Sequence, residues 1–278
     1  MDDPSSVRWV AGVDYLRLTY TAPGAADAAM GAYQGAVAGW SRQAGYLASD
    51  TRPWAWRGYV GASAGQAAWG IREDGAILQM SGQAAAWGAL CDLPYTGVPR
   101  VDVQCTVWGL SSPETVPRTA AALAARAREG ATGRPWSVRL EDGHGDGDTC
   151  YVGSRQSAWF LRIYDKGAES GEAQYEGAVR FEVEAHDECA AALYGSRQKG
   201  PLVGATAAGV VAGYLAHRGL RQMLPVSVGY TAPARVPREV TPTERTLNWL
   251  GEGVAPTIAR LLGAGLTRAQ IGGILGLQ

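Results

Sequence analysis

The sequence lacks the features that mark membrane, secreted and zinc-binding proteins. No apolar run approaches the ~18 residues that a membrane-spanning helix requires. The acidic N-terminus, M-D-D-P-S-S, has no apolar segment of the kind found in signal peptides. The four cysteines contain no C-x-x-C pair, which argues against a zinc site and fits reduced thiols. We therefore expect a cytoplasmic protein without a membrane partner.

The chain also lacks a strong net charge and is poor in lysine. Its formal net charge of -1 counts against a protein that coats nucleic acid non-specifically, because such proteins are usually strongly basic. A nuclease is still compatible with this charge, since its site is acidic and its basic groups are local. Among the 278 residues, 46% are hydrophobic, which is enough to bury a sizeable core. The lysines are Lys166 and Lys199, so Lys166 stands out in the middle of the chain.

Two segments in the middle of the chain alternate apolar and polar residues with the period of a β-strand. They are W-F-L-R-I-Y-D-K, residues 159–166, and V-R-F-E-V-E, residues 179–184. Residues two apart in a strand point to the same face of a sheet. The predicted polar faces carry Arg162 and Tyr164 in the first segment, with Lys166 next if the strand continues, and Arg180, Glu182 and Glu184 in the second.

The Gly- and Glu-rich segment 167–177 between these strands suits a loop, so the two strands are predicted to form a hairpin. A tyrosine with basic neighbours would then lie beside a pair of carboxylates. A phenol can attack a phosphodiester, carboxylates can hold a divalent cation, and Arg and Lys can stabilise the added charge. The same alternation is typical of any antiparallel sheet with one wet face, so a plain α+β domain stays an alternative.

Asp102 is an acidic residue inside the apolar strand predicted at 98–108, where Asp is depleted by propensity. Two interpretations follow from this position. Asp102 pairs with a nearby arginine such as Arg100, or it is a metal ligand beside Glu182 and Glu184.

Successive hairpin signals without β-α-β alternation predict an α+β fold, with an antiparallel sheet, flanking helices and a helical C-terminal extension. We expect a main domain at 1–222, a Pro-punctuated linker or arm at 223–241 and a helical segment at 242–278. In that segment, helices at 242–265 and 266–277 form a pair that either reads DNA or packs on the main domain. Further strands are predicted at 13–20, 54–61, 66–72, 76–81 and 136–141, a hairpin loop at 142–148, and helices at 25–47, 83–90, 113–130 and 186–220, the last broken at 195–201.

Three segments carry a resemblance to a known family. They are the central block Y-V-G-S-R-Q-S-A-W-F-L-R-I-Y-D-K with V-R-F-E-V-E, the strand P-R-V-D-V-Q at 99–104, and the helical stretch at 246–262. Together they resemble the Rep_trans family, the replication initiation factors of rolling-circle plasmids and some phages, which are related to relaxases of certain integrative conjugative elements. Like that family, the chain lacks the His-hydrophobe-His metal motif, since its three histidines are never two apart.

The resemblance implies an enzyme that nicks DNA at a replication origin. Tyr164 would attack the scissile phosphate, form a 5′-phosphotyrosyl link and release a 3′-OH that primes synthesis. A Mg²⁺ or Mn²⁺ ion held by Asp102, Glu182 and Glu184 would polarise the phosphate. Arg162 and Lys166 would stabilise the transition-state charge, and Ser154, Arg155 and Arg180 would bind the DNA.

The choice of Tyr164 as nucleophile rests on the motif R-x-Y-x-K, whose basic residues are expected to lower the pKa of the phenol. Tyr151 and Tyr175 are the alternative nucleophiles. Two other functions fit the same residues: a relaxase of a mobile element, and a non-catalytic DNA-binding protein on the same fold. The partner implied is origin DNA, single-stranded or as an extruded hairpin. A homodimer and a host helicase are also implied, because family members commonly work with both.

Overall fold

The computed structural model describes residues 8–21, 23–44, 51–110, 114–129, 136–143, 147–199, 202–224 and 254–274. The chain divides into two compact units, Met1–Val236 and Pro237–Gln278. The predicted boundaries at 222 and 241 lie on either side of this division and stay predictions, since 225–253 fall outside the described ranges.

The described part of the first unit contains ten strands. They form one sheet in the order β2-β3-β4-β5-β1-β6-β10-β9-β8-β7, and all neighbouring strands are antiparallel. The predicted α+β fold class is therefore confirmed. The strands are β1 (Trp9–Tyr20), β2 (Arg52–Trp56), β3 (Tyr59–Ala64), β4 (Ala67–Arg72), β5 (Gly75–Ser81), β6 (Gly97–Trp108), β7 (Val138–Glu141), β8 (Thr149–Val152), β9 (Trp159–Asp165) and β10 (Ala178–His186).

Helices of the first unit cover one face of this sheet. Gly88 of α2 lies against Leu16 and Met80, and Tyr33 of α1 lies 6.3 Å from Trp69, measured between ring centroids. These contacts place the helices on the apolar side of the strands, where the buried core lies. The helices on this side are α1 (Ala25–Ala44), α2 (Gly82–Leu90), α3 (Thr115–Glu129), α5 (Asp187–Gly195) and α6 (Gly204–His217), whereas the short helix α4 (Lys166–Ser170) buries no side chain.

A β-bulge in β1 decides which of its side chains face the core. Val13 pairs with Val103 of β6, but Tyr15 pairs with Asp102, so Asp14 is the extra residue. A bulge inserts one residue without a partner and re-aims the side chains around it. Beyond it, the odd-numbered Tyr15 and following residues lie on the polar face, opposite the even-numbered positions of β6.

The strand predicted at 54–61 is wrong, because the chain turns back at Arg57 and Gly58 to give β2 and β3. Both turn residues have positive φ, 46° for Arg57 and 83° for Gly58. Positive φ at both central residues is the signature of the type I′ turn of tight hairpins. A second tight turn, at Gly65 and Gln66, joins β3 to β4.

The connection between β9 and β10 differs from the predicted loop. Strand β9 ends at Asp165, and Lys166 begins the short helix α4. The Asp165 carboxylate accepts a hydrogen bond from the backbone N–H of Ala168 at 2.9 Å, which caps this helix. A 3₁₀ turn at Ala173–Tyr175 follows. Lys166 therefore does not extend the strand face of Arg162 and Tyr164. Strand β8 was also missed by the sequence pattern.

The described part of the second unit is a pair of helices, α7 (Ala255–Gly263) and α8 (Arg268–Ile274). The Thr267 hydroxyl accepts from the backbone N–H of Gln270 at 3.2 Å, while the Gln270 side chain accepts from the Thr267 N–H at 2.9 Å. This reciprocal pair is a capping box. It confirms the predicted helix start, whereas residues 242–253 of the predicted preceding helix lie outside the described ranges.

No helix among the described residues is both long enough and apolar enough to cross a bilayer.

Two strand glycines allow a direct test of the sheet packing. A Cβ on Gly61 would press into the backbone of Trp69 in the neighbouring strand, whereas a Cβ on Gly12 of β1 would meet no atom within 4 Å. We expect Gly61→Ala to lower the free energy of unfolding by ~1–3 kcal/mol, since the backbone cannot give way easily. Gly12→Ala should leave it unchanged or raise it slightly. Urea unfolding of both variants measures this, and equal stability of the two would contradict the packing described.

Candidate active site

The register of the three central strands brings the predicted acidic residues together on the polar face. Glu184 of β10 lies directly opposite Asp102 of β6, and Glu182 lies opposite Arg162 of β9. All three carboxylates are almost fully buried, at 2% or less exposure. The alternative of a charged sheet whose carboxylates do not converge is therefore wrong.

The guanidinium of Arg162 lies among these three carboxylates. It forms a close ion pair with Glu182, and its Nε lies 3.4 Å from Oε1 of Glu184. Its Nη2 also lies 3.8 Å from Oδ2 of Asp102. The carboxylates raise the pKa of Arg162 despite its burial, so this side chain stays charged.

Asp102 has a second basic partner in Arg100. The Arg100 Nε donates to Oδ1 of Asp102 at 2.7 Å, and its Nη2 lies 2.5 Å from Oδ2. The same Nη2 is 3.1 Å from Oε2 of Glu184. The sequence left two interpretations of Asp102 open, and the structure contains the pairing with Arg100 as well as the proximity to Glu184.

Burial and ion pairing shift the pKa values of the three carboxyl groups in different directions. Burial raises the pKa of Asp102 and of Glu182, and the arginines beside them offset this only in part. Burial also acts to raise the pKa of Glu184, but His186, Arg100 and Arg162 outweigh it and hold that pKa below its usual range. Glu182 and Asp102 are therefore the members that take up a proton most readily.

Tyr164 contacts the acidic cluster directly. Its hydroxyl donates a hydrogen bond to Oε2 of Glu182 at 3.0 Å. Burial and the nearby charge of Glu182 raise the pKa of Tyr164, although Arg180 and Arg162 act in the opposite direction. The prediction that basic neighbours lower this pKa is wrong, because the sequence motif did not include the burial or the carboxylate partner.

A cavity of about 750 Å³ reaches this cluster at Glu182 and Arg162, while Asp102 and Glu184 do not line it. Its walls carry all three tyrosines that the sequence offered as nucleophiles, together with four of the charged residues already discussed. The lining includes Tyr151, Tyr164, Tyr175, Arg162, Lys166, Arg180 and Glu182.

The two alternative tyrosines have different surroundings. The Tyr175 ring stacks on Trp108 with centroids 6.2 Å apart, and Nζ of Lys166 lies 5.4 Å from its centroid. The Tyr151 ring stacks on Phe160 at 5.8 Å, with the Arg155 guanidinium 5.6 Å away. Of the three phenols, Tyr164 is the one with a described hydrogen bond to a carboxylate.

Arg180 is held in place by groups that the sequence analysis did not select. Its Nη1 lies 2.8 Å from Oδ1 of Asp14, the bulge residue of β1, and its Nε donates to the Thr106 hydroxyl at 2.9 Å. Thr106 in turn donates to Gln104 at 2.7 Å. Asp14 is an acidic residue within an apolar strand, so the argument used for Asp102 applied to it as well.

The remaining predicted DNA contacts are not among the residues that line the cavity. Ser154 and Arg155 are exposed in the turn between β8 and β9, and the Ser154 hydroxyl accepts a hydrogen bond from the N–H of Gln156 at 3.2 Å. Lys166 is ion-paired with Glu169, three residues further along α4.

The acidic cluster has side chains of the type that bind divalent cations. Asp102, Glu182 and Glu184 supply the carboxylate oxygens that Mg²⁺ and Mn²⁺ prefer. They face two guanidiniums, those of Arg100 and Arg162, so one negative charge remains uncompensated. Across the described ranges no three acidic, histidine or cysteine side chains are arranged as a metal site. The residue types therefore suit the ion, but the arrangement present is an ion-paired cluster, with the Arg162 guanidinium among the three carboxylates.

Comparison with known families confirms the resemblance of the central block. Residues 121–215 match the family model Rep_trans, described as replication initiation factor. The match covers about a third of the chain. It contains β9, β10 and the residues Arg162, Tyr164, Glu182 and Glu184, whereas the segments at 99–104 and 246–262 lie outside it.

One solved structure with a similar arrangement is described as a rolling circle replication initiator protein from Geobacillus stearothermophilus. It is 16% identical in sequence, with a TM-score of 0.49, and the alignment covers 88% of this chain and 96% of the other. No curated protein sequence matches the chain.

The pairing of Arg100 with Asp102 leads to a stability prediction. Arg100→Met removes both hydrogen bonds from a buried carboxylate, which typically costs ~3–5 kcal/mol of unfolding free energy. The matched control is Arg118→Met, because the Arg118 side chain is 79% exposed and its ion pair with Glu114 lies on the surface. That change should cost less than ~1 kcal/mol. Urea unfolding distinguishes them, and equal stability of the two variants would show that Asp102 does not depend on Arg100.

Proposed function

We propose that this protein is a DNA-nicking replication initiator that uses Tyr164 as its nucleophile. The observation that carries the proposal is the hydrogen bond from the Tyr164 hydroxyl to Glu182, at the wall of a cavity whose lining includes three basic and four acidic side chains. The match of residues 121–215 to replication initiation factors supports the choice of DNA as substrate. Neither observation depends on the other.

The chemistry is the transfer of a phosphodiester from one oxygen to another. The Tyr164 oxygen attacks the phosphorus, a bond forms between them, and the bond from phosphorus to the 3′ oxygen breaks. The phenolic proton passes to Oε2 of Glu182, whose raised pKa suits it to accept a proton. The 3′ oxygen leaves and takes up a proton as the 3′-OH that primes synthesis.

Basic side chains around the cavity stabilise the charge that develops on the phosphate. Arg162, Lys166 and Arg180 all line it. Positively charged donors aimed at developing negative charge act strongly in a site that excludes water. Arg180 is 5% exposed and fixed by Asp14, so it is a preorganised donor, whereas the exposed Ser154 and Arg155 hold the backbone of the incoming strand.

A Mg²⁺ or Mn²⁺ ion is part of the proposal, with Asp102, Glu182 and Glu184 as the residues that would hold it. When bound, such an ion polarises a phosphate oxygen. Arg162 competes for the same carboxylates, so its guanidinium would move toward the DNA backbone when a cation is present.

The proposed partner is origin DNA, as a single strand or an extruded hairpin, because a cavity at one face of a sheet admits an unpaired strand more readily than a duplex. A homodimer, a host helicase and a cytoplasmic location complete the proposal. A relaxase would use the same residues and differ in its DNA target.

A denaturing gel with labelled single-stranded DNA that carries candidate origin sequences tests the nucleophile. We expect cleavage and a covalent protein–DNA band with Mn²⁺, neither of them with EDTA, and loss of both in Tyr164→Phe. Tyr175→Phe and Tyr151→Phe are matched controls, since each removes one hydroxyl from the same cavity and should keep the covalent band.

Each contrary outcome has a distinct meaning. A covalent band that survives in Tyr164→Phe but disappears in Tyr175→Phe or Tyr151→Phe would move the nucleophile to that residue. Binding of origin DNA without cleavage in any metal would support a non-catalytic DNA-binding protein instead.

The competition between Arg162 and a cation gives a second prediction, measured as the shift in Tm between EDTA and Mn²⁺ at equal ionic strength. Mn²⁺ at 100 times its Kd should raise the unfolding free energy of the wild type by ~2.7 kcal/mol, and the Tm should rise accordingly. Arg162→Gln should show a larger shift, because the guanidinium no longer competes. Asp102→Asn should show little or none.

Glu169→Gln is the control for this series, since Glu169 lines the cavity but lies outside the three-carboxylate cluster. The Tm of Glu169→Gln should rise with Mn²⁺ by as much as the wild-type Tm does. An equal Mn²⁺ shift in wild type and Asp102→Asn would place any metal elsewhere.

A further inference from the structure

A row of three aromatic side chains lies at the β2 edge of the sheet, on the polar face. Trp54 and Trp56 of β2 stack with centroids 6.4 Å apart and planes 21° from parallel. Trp56 and Tyr59 of β3 stack across the hairpin at 6.3 Å and 20°. All three are partly exposed. We call Trp54, Trp56 and Tyr59 the edge aromatic row.

Glycines in the neighbouring strands make room for this row. Gly61 of β3 lies opposite both Trp54 of β2 and Gly70 of β4. A Cβ on Gly70 would lie only 2.8 Å from Cζ3 of Trp54 and 3.1 Å from Cβ of Tyr59. The Trp54 indole therefore packs directly over Gly70, where a larger residue would displace it.

Three guanidiniums lie over the rings of the row. Arg17 of β1 and Arg57 of the hairpin turn are 4.3 Å and 4.8 Å from the Trp56 ring, and Arg72 is 4.5 Å from the Tyr59 ring. Arg72 is also paired with Asp74. Among the residues whose placement is described, no carboxylate forms an ion pair with Arg17 or Arg57, so neither charge is neutralised by a described ion pair.

The backbone at Arg57 is unfavourable for the residue that occupies it. Its φ of 46° belongs to the left-handed region, which bulky residues avoid and which Asn, Asp or Gly normally fill in such turns. Strain of this kind at one residue is a pointer to function. Here it sets the Arg57 guanidinium beside Trp56.

We propose that the edge aromatic row, with Arg17 and Arg57, binds single-stranded DNA. Aromatic rings accept the faces of unpaired bases whatever their sequence, and the guanidiniums pair with the phosphates between them. The positive charges of Arg17 and Arg57 would attract the negatively charged phosphate backbone of DNA. Partly exposed aromatic side chains fit unpaired bases, since a duplex hides its base faces by stacking.

This row connects to the acidic cluster along the same face. Arg17 donates to the Tyr15 hydroxyl at 2.6 Å, and the Arg100 guanidinium lies 4.6 Å from the Tyr15 ring. Arg100 is the partner of Asp102. A strand bound on the row thus lies on the route to the cavity of Tyr164. Only the choice of DNA as the nucleic acid rests on the proposed function.

The test is fluorescence anisotropy of labelled oligo-dT with the full chain, in EDTA. EDTA prevents metal-dependent cleavage, so the binding result is independent of whether the protein nicks DNA. We expect Trp56→Ala to weaken binding about tenfold, and Trp56→Phe to recover most of it, because a phenyl ring still stacks. Arg57→Asn should weaken binding severalfold while Tm stays the same or rises, since Asn suits the turn.

Arg118→Ala is the matched charge control, because it removes an arginine from α3 on the helical side of the sheet, and it should bind as the wild type does. Wild-type affinity in both Trp56→Ala and Arg57→Asn would overturn the proposal, as would equal affinity of the wild type for duplex and single strand. A changed oligomeric state in Trp56→Ala, with unchanged affinity for oligo-dT, would make the row an interface between copies and would overturn it too.

Discussion

The ion pairs around Arg162 depend on three strands being in register. Two opposite charges 4 Å apart attract by about 4 kcal/mol at an effective dielectric of about 20. Burying each ion costs several kcal/mol, so no single pair would be stabilising by itself. The Arg162 guanidinium is stabilised by the combined attraction of Glu182, Glu184 and Asp102. The strands β6, β9 and β10 must therefore be aligned before ion pairing offsets the cost of burying any of these charges. The three carboxylates and two guanidiniums leave one negative charge, which a proton or a cation could neutralise.

The two faces of the sheet carry different kinds of side chain. The helical face holds the apolar core, while the opposite face carries the acidic cluster, the cavity and the edge aromatic row. Because successive side chains of a strand alternate between faces, each central strand contributes to both. A substitution on the polar face can therefore alter the proposed DNA binding and nicking without opening a void in the core, except where it leaves a buried charge unpaired.

The sequence was informative where one strand showed its own alternation. The faces of β9 and β10, and the convergence of Asp102 with Glu182 and Glu184, followed from period-2 patterns and the family resemblance. Predictions from local sequence patterns were wrong or incomplete where the property depends on residues distant in the sequence or on an atypical turn residue. The pKa of Tyr164 depends on burial and on Glu182, which R-x-Y-x-K does not contain, and Arg57 conceals a turn because it is not a typical turn residue. Asp14 was missed because its partner Arg180 is 166 positions away.

The bulge at Asp14 has a consequence for how the gene can vary. On its C-terminal side, Tyr15 and Arg17 reach the polar face only because one extra residue precedes them. Removing that residue would exchange the two sides of the rest of β1, so that polar groups would enter the core and Leu16 and Leu18 would face solvent. Exchanges of one amino acid for another in β1 each affect a single position, whereas a deletion or insertion of one codon there affects all that follow. Among natural variants of this protein, the length of β1 should thus be more uniform than its composition.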